Sequence, residues 1–280
     1  MNRTALVTGA TDGLGLAVAH RLAGAGVRVI LHGRDQGRLD AAAAAIAAEQ
    51  GVDAPATVIA DFRSLASVRA LPAQVEALTD HLDILINNAG IGSGLPESRE
   101  RQESADGYEL RFAVNYLAGF DLTLRLMPLL RAAPSARVVF VASMGQHPID
   151  FDDPQVLRDY AGRKAYSVSK LAQITFGMEL AERLAGEPIT VTSLHPSTFM
   201  PTKIVTANAA DPIDTLEAGT DATVRLAIDP ALDGVTAQYF ERQQPARADD
   251  QAYDPVRRQR LWELSLQLTE APDLAVPTEV

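Results

Sequence analysis

Cysteine is absent from all 280 residues, which excludes disulfides, thiolate metal centres and cysteine nucleophiles at once. Histidine is scarce: His20, His32, His81, His147 and His195 are scattered without ligand-like spacing, so no metal site is expected. Aromatic residues make up 5% of the chain while alanine is abundant, which favours helices packed closely on something flat. No apolar run reaches membrane-spanning length, so no membrane insertion is expected. Positive charge is outweighed: 25 Lys and Arg face 36 Asp and Glu, a net charge of −11. That balance argues against nucleic acid or an anionic membrane as the main partner. The start, MNRT, lacks a basic region followed by an apolar run and a cleavage site, and leads directly into ALVTGA. A soluble cytoplasmic protein is therefore the expectation.

What is present is enough apolar residue, 47%, to bury a substantial core, and one domain over 1–280 is expected. Short apolar runs alternate with longer helical patterns. Strands are predicted at 3–8, 27–32, 56–60, 83–87, 136–142 and 189–194, with a seventh at 234–240. Helices are predicted from Leu14 to Gly26, over 36–50 with Gly51 as the stop, after an N-cap at Ser64, over 103–132, and over 166–185. Pro72 should kink or restart its helix. Strand–helix alternation with continuous apolar strands implies an α/β fold, a parallel sheet covered on both faces. Such sheets bind ligands at the carboxyl ends of their strands, so the loops after residues 8, 32, 60, 87, 142 and 194 should share one edge.

The first of those loops is TGATDGLG, with Gly9, Thr11, Asp12, Gly13, Leu14 and Gly15 between strand and helix. Glycines there permit a tight turn, close approach of a diphosphate and a helix N-terminus aimed at it. The second loop carries Arg34 where the adenosine ribose of a dinucleotide would lie, and an arginine there pairs with a 2′-phosphate. NADP(H) is therefore preferred, NAD(H) remains possible, and Asp12 is an unhelpful charge nearby. The next loops hold Asp61 and Phe62, then Asn88, Ala89 and Gly90 within NNAG, then Ser143. Asn115 lies in the long helical stretch. Tyr166 and Lys170 stand four apart, one helical turn, in a chain with six tyrosines and three lysines. A cation at that spacing favours a phenolate and lowers its pKa.

The set TGATDGLG, Asp61, NNAG, Asn115, Ser143, Tyr166-x-x-x-Lys170 and HPSTFMPT at 195–202 resembles the short-chain dehydrogenase/reductase family over nearly the whole chain. KAYSVSKLAQITFGMELAERL and the long Ser143–Tyr166 interval are similar to its retinol-dehydrogenase-like and protochlorophyllide-reductase-like branch. The resemblance implies a Rossmann-type doubly wound sheet and a carbonyl–alcohol oxidoreductase acting on a fairly apolar small molecule. By resemblance, Tyr166 is the general acid/base, Lys170 tunes it and holds the nicotinamide ribose, Ser143 binds the substrate oxygen, and Asn115 anchors a proton-supplying water. Pro196 and Thr198 join the cofactor set, with Thr202 near the diphosphate. The resemblance also implies a homodimer or homotetramer through helices such as 103–132 and 166–185.

The chain departs from the family in places. Ser143 and Tyr166 are 23 apart, and the interval holds a second Tyr-x-x-x-Lys, Tyr160 with Lys164. Tyr166 is the better choice because its helical pattern runs on through Leu171, Ile174 and Leu180. Ser197 stands where the family commonly has glycine, so the loop could lose a residue that takes positive φ easily. Residues 197–215 are expected as a lid and 245–280 as a C-terminal extension that could block or add an interface. Specificity is expected in 91–106, 144–165 and 197–215. A non-redox step such as epimerisation or dehydration, or a non-catalytic dinucleotide-binding sensor, are the alternative functions.

Overall fold

The computed structural model describes residues 3–93, 100–202 and 211–274. Parts of the expected substrate segments, 94–99 and 203–210, and residues 275–280 of the expected extension lie outside it. The chain alternates β1 (Thr4–Val7), α1 (Gly13–Gly24), β2 (Arg28–Gly33), α2 (Gln36–Gln50), β3 (Ala56–Ile59), α3 (Leu65–Glu76) and β4 (Ile84–Asn87). A π-helical turn, Phe112–Leu117, then runs into α4 (Ala118–Arg125) and α5 (Met127–Ala132). β5 (Ala136–Val141), α6 (Gly162–Arg183), β6 (Ile189–His195), α7 (Leu216–Ile228), β7 (Gln238–Glu241), β8 (Gln244–Ala246) and α8 (Pro255–Thr269) complete it.

The strands form one sheet in the order β3-β2-β1-β4-β5-β6-β7-β8, parallel throughout except for the final antiparallel pair. Because neighbouring strands are parallel, the loops after β1 to β6 do share one edge. Alternate strand residues serve opposite faces. Ala5, Val7, Val29, Leu31, Ile84 and Ile86 pack under α1, α2 and α7, while Leu6, Ile30, Leu85, Val138 and Phe140 pack under α3, α4, α6 and α8.

Several elements differ from expectation. The sheet has eight strands rather than about seven: Gln244-Pro245-Ala246 folds back on β7. Pro245 cannot donate to a ladder, which confines such a strand to an edge and hides it in the sequence. Pro72 neither restarts nor divides α3; its buried ring packs in the core, which offsets the one backbone bond it cannot make. The stretch expected as one helix over 103–132 begins near residue 110. Ser104 and the left-handed Gly107 turn the chain before it, with Glu103 and Glu109 bridged across the turn. It breaks again at Leu126, ahead of Pro128 in the first turn of α5. The segment past residue 245 carries α8, whose Trp262 is 2% exposed in the same core as α4 and α6.

Candidate active site

The turn after β1 is built so that only glycine fits. Gly9 and Gly13 have φ of +67° and +50°, the left-handed region. A Cβ on Gly15 would lie 2.2 Å from the Gly9 carbonyl oxygen and 2.4 Å from Asn88 Nδ2. Asp12 caps α1 by accepting the Gly13 N–H at 2.8 Å. The loop after β4 is stitched onto this turn: Thr8 Oγ1 accepts the Asn88 and Ala89 N–H groups, both at 2.9 Å, and Asn88 Nδ2 donates to the Thr8 carbonyl at 2.8 Å. Leu14 is buried in the core, so only its backbone can serve a ligand. The N-terminus of α1 thus opens onto a side-chain-free cradle of the kind a diphosphate needs.

His32, in β2, braces that cradle from behind. Nδ1 accepts the Gly9 N–H at 3.3 Å, Nε2 donates to the Ala60 carbonyl at 3.1 Å, and the ring stacks on Phe62 with centroids 4.4 Å apart. Burial lowers its pKa to about 4, so it is neutral and its tautomer is fixed by its partners. The sequence reading missed this role, because nothing in the spacing of five histidines marks it. Phe62 is itself buried, so its side chain supports the edge from inside.

Arg34 follows β2 on the surface, and Arg38, one turn into α2, reaches back to Asp12 Oδ2 at 3.0 Å and the Thr11 carbonyl at 3.3 Å. The carboxylate that counted against a 2′-phosphate is therefore paired with a second arginine. Asp61 accepts the backbone N–H of Arg63 at 3.0 Å and pairs with its guanidinium at 2.6 Å, and Arg63 holds the carboxyl below its usual range.

The catalytic candidates meet where β4, β5, the π-turn and α6 converge. Ser143, 9% exposed, accepts the Gly145 N–H at 3.0 Å, which leaves its hydroxyl hydrogen free to donate elsewhere. Tyr166 is partly exposed beside it. Burial raises the Tyr166 pKa above 10 and the Ser143 hydroxyl pulls it back. The expected depression by Lys170 is not what sets this phenol: Nζ lies 5.8 Å from the ring centroid and donates to the Val141 carbonyl at 2.9 Å and Gln173 Oε1 at 2.8 Å. Burial lowers the Lys170 pKa to about 7. Asn115 uses its side chain to tie elements together. Oδ1 accepts the Ile91 N–H at 2.8 Å, and Nδ2 donates to the Ile91 carbonyl at 3.1 Å and Ser169 Oγ at 3.0 Å. Gly90 borders both groups: a Cβ there would stand 3.2 Å from Asn115 Oδ1 and 3.6 Å from Lys170 Nζ.

Tyr160 is elsewhere. Its hydroxyl donates to Glu109 Oε1 at 3.0 Å and accepts from Arg111 Nη1 at 2.8 Å, and its pKa is pushed up to about 12 by burial and the Glu109 charge. Arg111 also donates to the Gly92 and Ser93 carbonyls at 3.1 and 3.0 Å, so this cluster pins the 144–165 interval to the segment after β4. Ile149 and Val156 of that interval are buried in the core.

The turn after β6 tolerates Ser197 because the positive φ falls on Phe199, at 47°, and not on Ser197. Gly219 of α7 makes the room, since a Cβ there would lie 3.4 Å from Ser197 Cβ and 2.3 Å from Met200 Sδ. Pro196 is buried at the base of the turn. Thr198 donates its N–H to Asp214 Oδ2 at 2.9 Å, and Asp214 pairs with Arg242 at 2.6 Å. Thr198 Oγ1 contacts His195 Nε2 at 3.0 Å and Met144 Sδ at 3.8 Å, joining the loops after β5 and β6.

The short chain dehydrogenase family model matches residues 3–212. Retinol dehydrogenase 14 of Homo sapiens is 34% identical over 290 aligned residues, covering 94% of this chain and 85% of that protein. The crystal structure of an uncharacterized protein from Mycobacterium paratuberculosis shares the fold with a TM-score of 0.78 at 31% identity, covering 99% of this chain and 95% of that one. Pseudomonas aeruginosa RhlG, solved as an active-site complex with NADP, has a TM-score of 0.69 at 28% identity, covering 85% of this chain and 94% of that one.

Proposed function

The chain belongs to the short-chain dehydrogenase family, the NAD(P)-dependent oxidoreductases that act on CH–OH groups, and from that premise we propose that it interconverts the carbonyl and alcohol of a fairly apolar small molecule with NADP(H). The observation that carries the reading is the placement of Ser143, Tyr166 and Lys170 on the same sheet edge as a glycine cradle that any side chain would fill. Such a cradle fits a dinucleotide diphosphate. Gly9, Thr11, Gly13 and Gly15 would hold the diphosphate, Asp61 and Phe62 the adenine side, Asn88, Ala89 and Gly90 the middle, and Pro196 and Thr198 the nicotinamide end. Arg34 would face a ribose 2′-phosphate, with Arg38 neutralising Asp12. RhlG was solved with NADP, which supports the same preference here.

When bound, the nicotinamide supplies or takes up the hydride. The protein's task is then position and one proton. Ser143 Oγ donates to the substrate oxygen. Tyr166 would give its phenolic proton to that oxygen in reduction and, as the phenolate, take it back in alcohol oxidation. Lys170 holds the ribose and adds positive charge beneath the site. Met144, Phe199 and Ile213, 54%, 49% and 66% exposed, put apolar surface on the segments after β5 and β6. The homodimer or homotetramer implied by the resemblance would need a surface other than the α4 and α6 faces that Trp262 of α8 covers.

Oxidation of NADPH and NADH against a panel of apolar aldehydes, ketones and quinones tests the reading. Turnover preferring NADPH is the expected result. Preference for NADH would contradict the Arg34 assignment, and cofactor binding without turnover of any compound would favour a sensor or a non-redox enzyme.

A further inference from the structure

Lys170 is almost completely enclosed, 5% exposed, and a buried ammonium needs acceptors for its three N–H groups. The fold supplies two. The Val141 carbonyl, at the end of β5 and two residues before Ser143, accepts at 2.9 Å. Gln173 Oε1, one turn further along α6 and itself 3% exposed, accepts at 2.8 Å. With those two directions taken, the third N–H is left for the side of Gly90 and Asn115, where the cleft opens. Neither acceptor is charged.

We propose that Gln173 is a positioning residue for the reaction: its side-chain carbonyl, together with the Val141 carbonyl, holds Lys170 Nζ as an ammonium and turns its remaining N–H toward the cofactor cleft. The inference rests on Lys170 belonging to the catalytic set. A hydrogen bond made to the charged form favours that form. It matters here because burial alone brings Lys170 to about 7, where charged and neutral forms coexist. The titrating group beside it is Tyr166, one turn back on α6, whose ring centroid lies 5.8 Å from Nζ. Among the described residues no carboxylate or guanidinium contributes to the Lys170 shift. Gln173 is the side chain that accepts directly from Nζ, so it is the one placed to hold the charged form. No loop motif points to it.

The chain has only three lysines, Lys164, Lys170 and Lys203. Selective ¹³C labelling of the lysine ε-carbon therefore gives three resolvable titrations, assigned with Lys164→Arg and Lys203→Arg. The full chain is titrated without cofactor or substrate, so the outcome does not depend on whether any compound is turned over. Gln173→Met keeps the volume and removes the acceptor, and the Lys170 midpoint should fall by about one pH unit. Gln173→Glu supplies a charged acceptor, and the midpoint should rise by about one unit or more. If Gln173→Met does not fold, the Gln173→Glu titration decides alone. A Lys170 midpoint that stays at its wild-type value in the folded variants would overturn the proposal and leave the dehydrogenase reading intact. Absence of turnover in wild type would challenge the dehydrogenase reading, while the Lys170 midpoints would still report whether Gln173 holds the ammonium.

Discussion

His32 carries two hydrogen bonds with opposite demands. Nε2 must hold the proton to serve the Ala60 carbonyl, and Nδ1 must lack it to accept from Gly9. A neutral imidazole meets both demands and a charged one cannot. Replacing His32 with Phe keeps the stack on Phe62 and removes the brace on the glycine turn. NADPH binding should weaken about 5- to 20-fold, the worth of one such bond, with the fold retained. Fluorescence titration of NADPH measures it, and an unchanged Kd would show that the turn needs no brace. The two Tyr-x-x-x-Lys pairs part company at the same scale. Tyr160→Phe removes a half-buried bond to Glu109 and should cost about 1–2 kcal/mol in urea unfolding while kcat stays within a few-fold of wild type. TGATDGLG, NNAG and Ser143 were legible because each sits directly past a strand, and Tyr166 with Lys170 because they stand one helical turn apart. His32 and Gln173 were not, since their roles come from partners 23 residues or more away in one case and from an inward-facing helix position in the other.

Among elements, α8 shows how much a late segment can add. Trp262 stacks edge-on against Phe120 of α4 at 5.4 Å and lies 5.9 Å from Phe176 of α6, with the Arg183 guanidinium 4.0 Å from its ring. Its indole N–H donates to Asp273 at 2.8 Å. Trp262→Ala should destabilise by about 3–5 kcal/mol, read as a lower urea midpoint. A loss under 1 kcal/mol would mean that α8 merely rests on the domain. The extension expected over 245–280 carried no sign of its docking face, because its apolar residues pack against two distant helices, α4 and α6. The helical stretch before β5 was over-extended for a related reason. Periodic apolar residues run through 103–132, yet the Ser104–Gly107 turn and Pro128 decide where helix begins and breaks. α7 and β8 went unread: one is a short amphipathic helix behind the expected lid, the other a three-residue edge strand containing proline.

For the whole molecule, the buried histidines set an acid limb of stability. His32 and His195 have pKa values of about 4 in the fold against an ordinary 6.5. Between those values the unfolded chain binds protons that the folded chain refuses. The histidines' contribution is therefore complete above pH 6.5 and declines as the pH falls to 4, by on the order of 3 kcal/mol for each. The depressed carboxyls of Asp61 and Asp153 act lower, below their ordinary 3.8. Urea midpoints across pH 4 to 7 should show this slope, reduced by about half in His32→Phe; a flat profile would mean that these rings are solvated. The parallel architecture itself was readable from strand–helix alternation, because buried parallel strands are continuous apolar runs. In the proposed reaction Tyr166, and not Tyr160, performs the proton transfer. The most direct test is the paired kcat/KM of Tyr166→Phe and Tyr160→Phe with NADPH and a carbonyl that the wild type reduces. The prediction is a fall of about 10²- to 10⁴-fold for Tyr166→Phe, with NADPH binding retained, and near wild-type turnover for Tyr160→Phe. Turnover that survives in Tyr166→Phe, or is lost only in Tyr160→Phe, would contradict the assignment of Tyr166 as the proton donor.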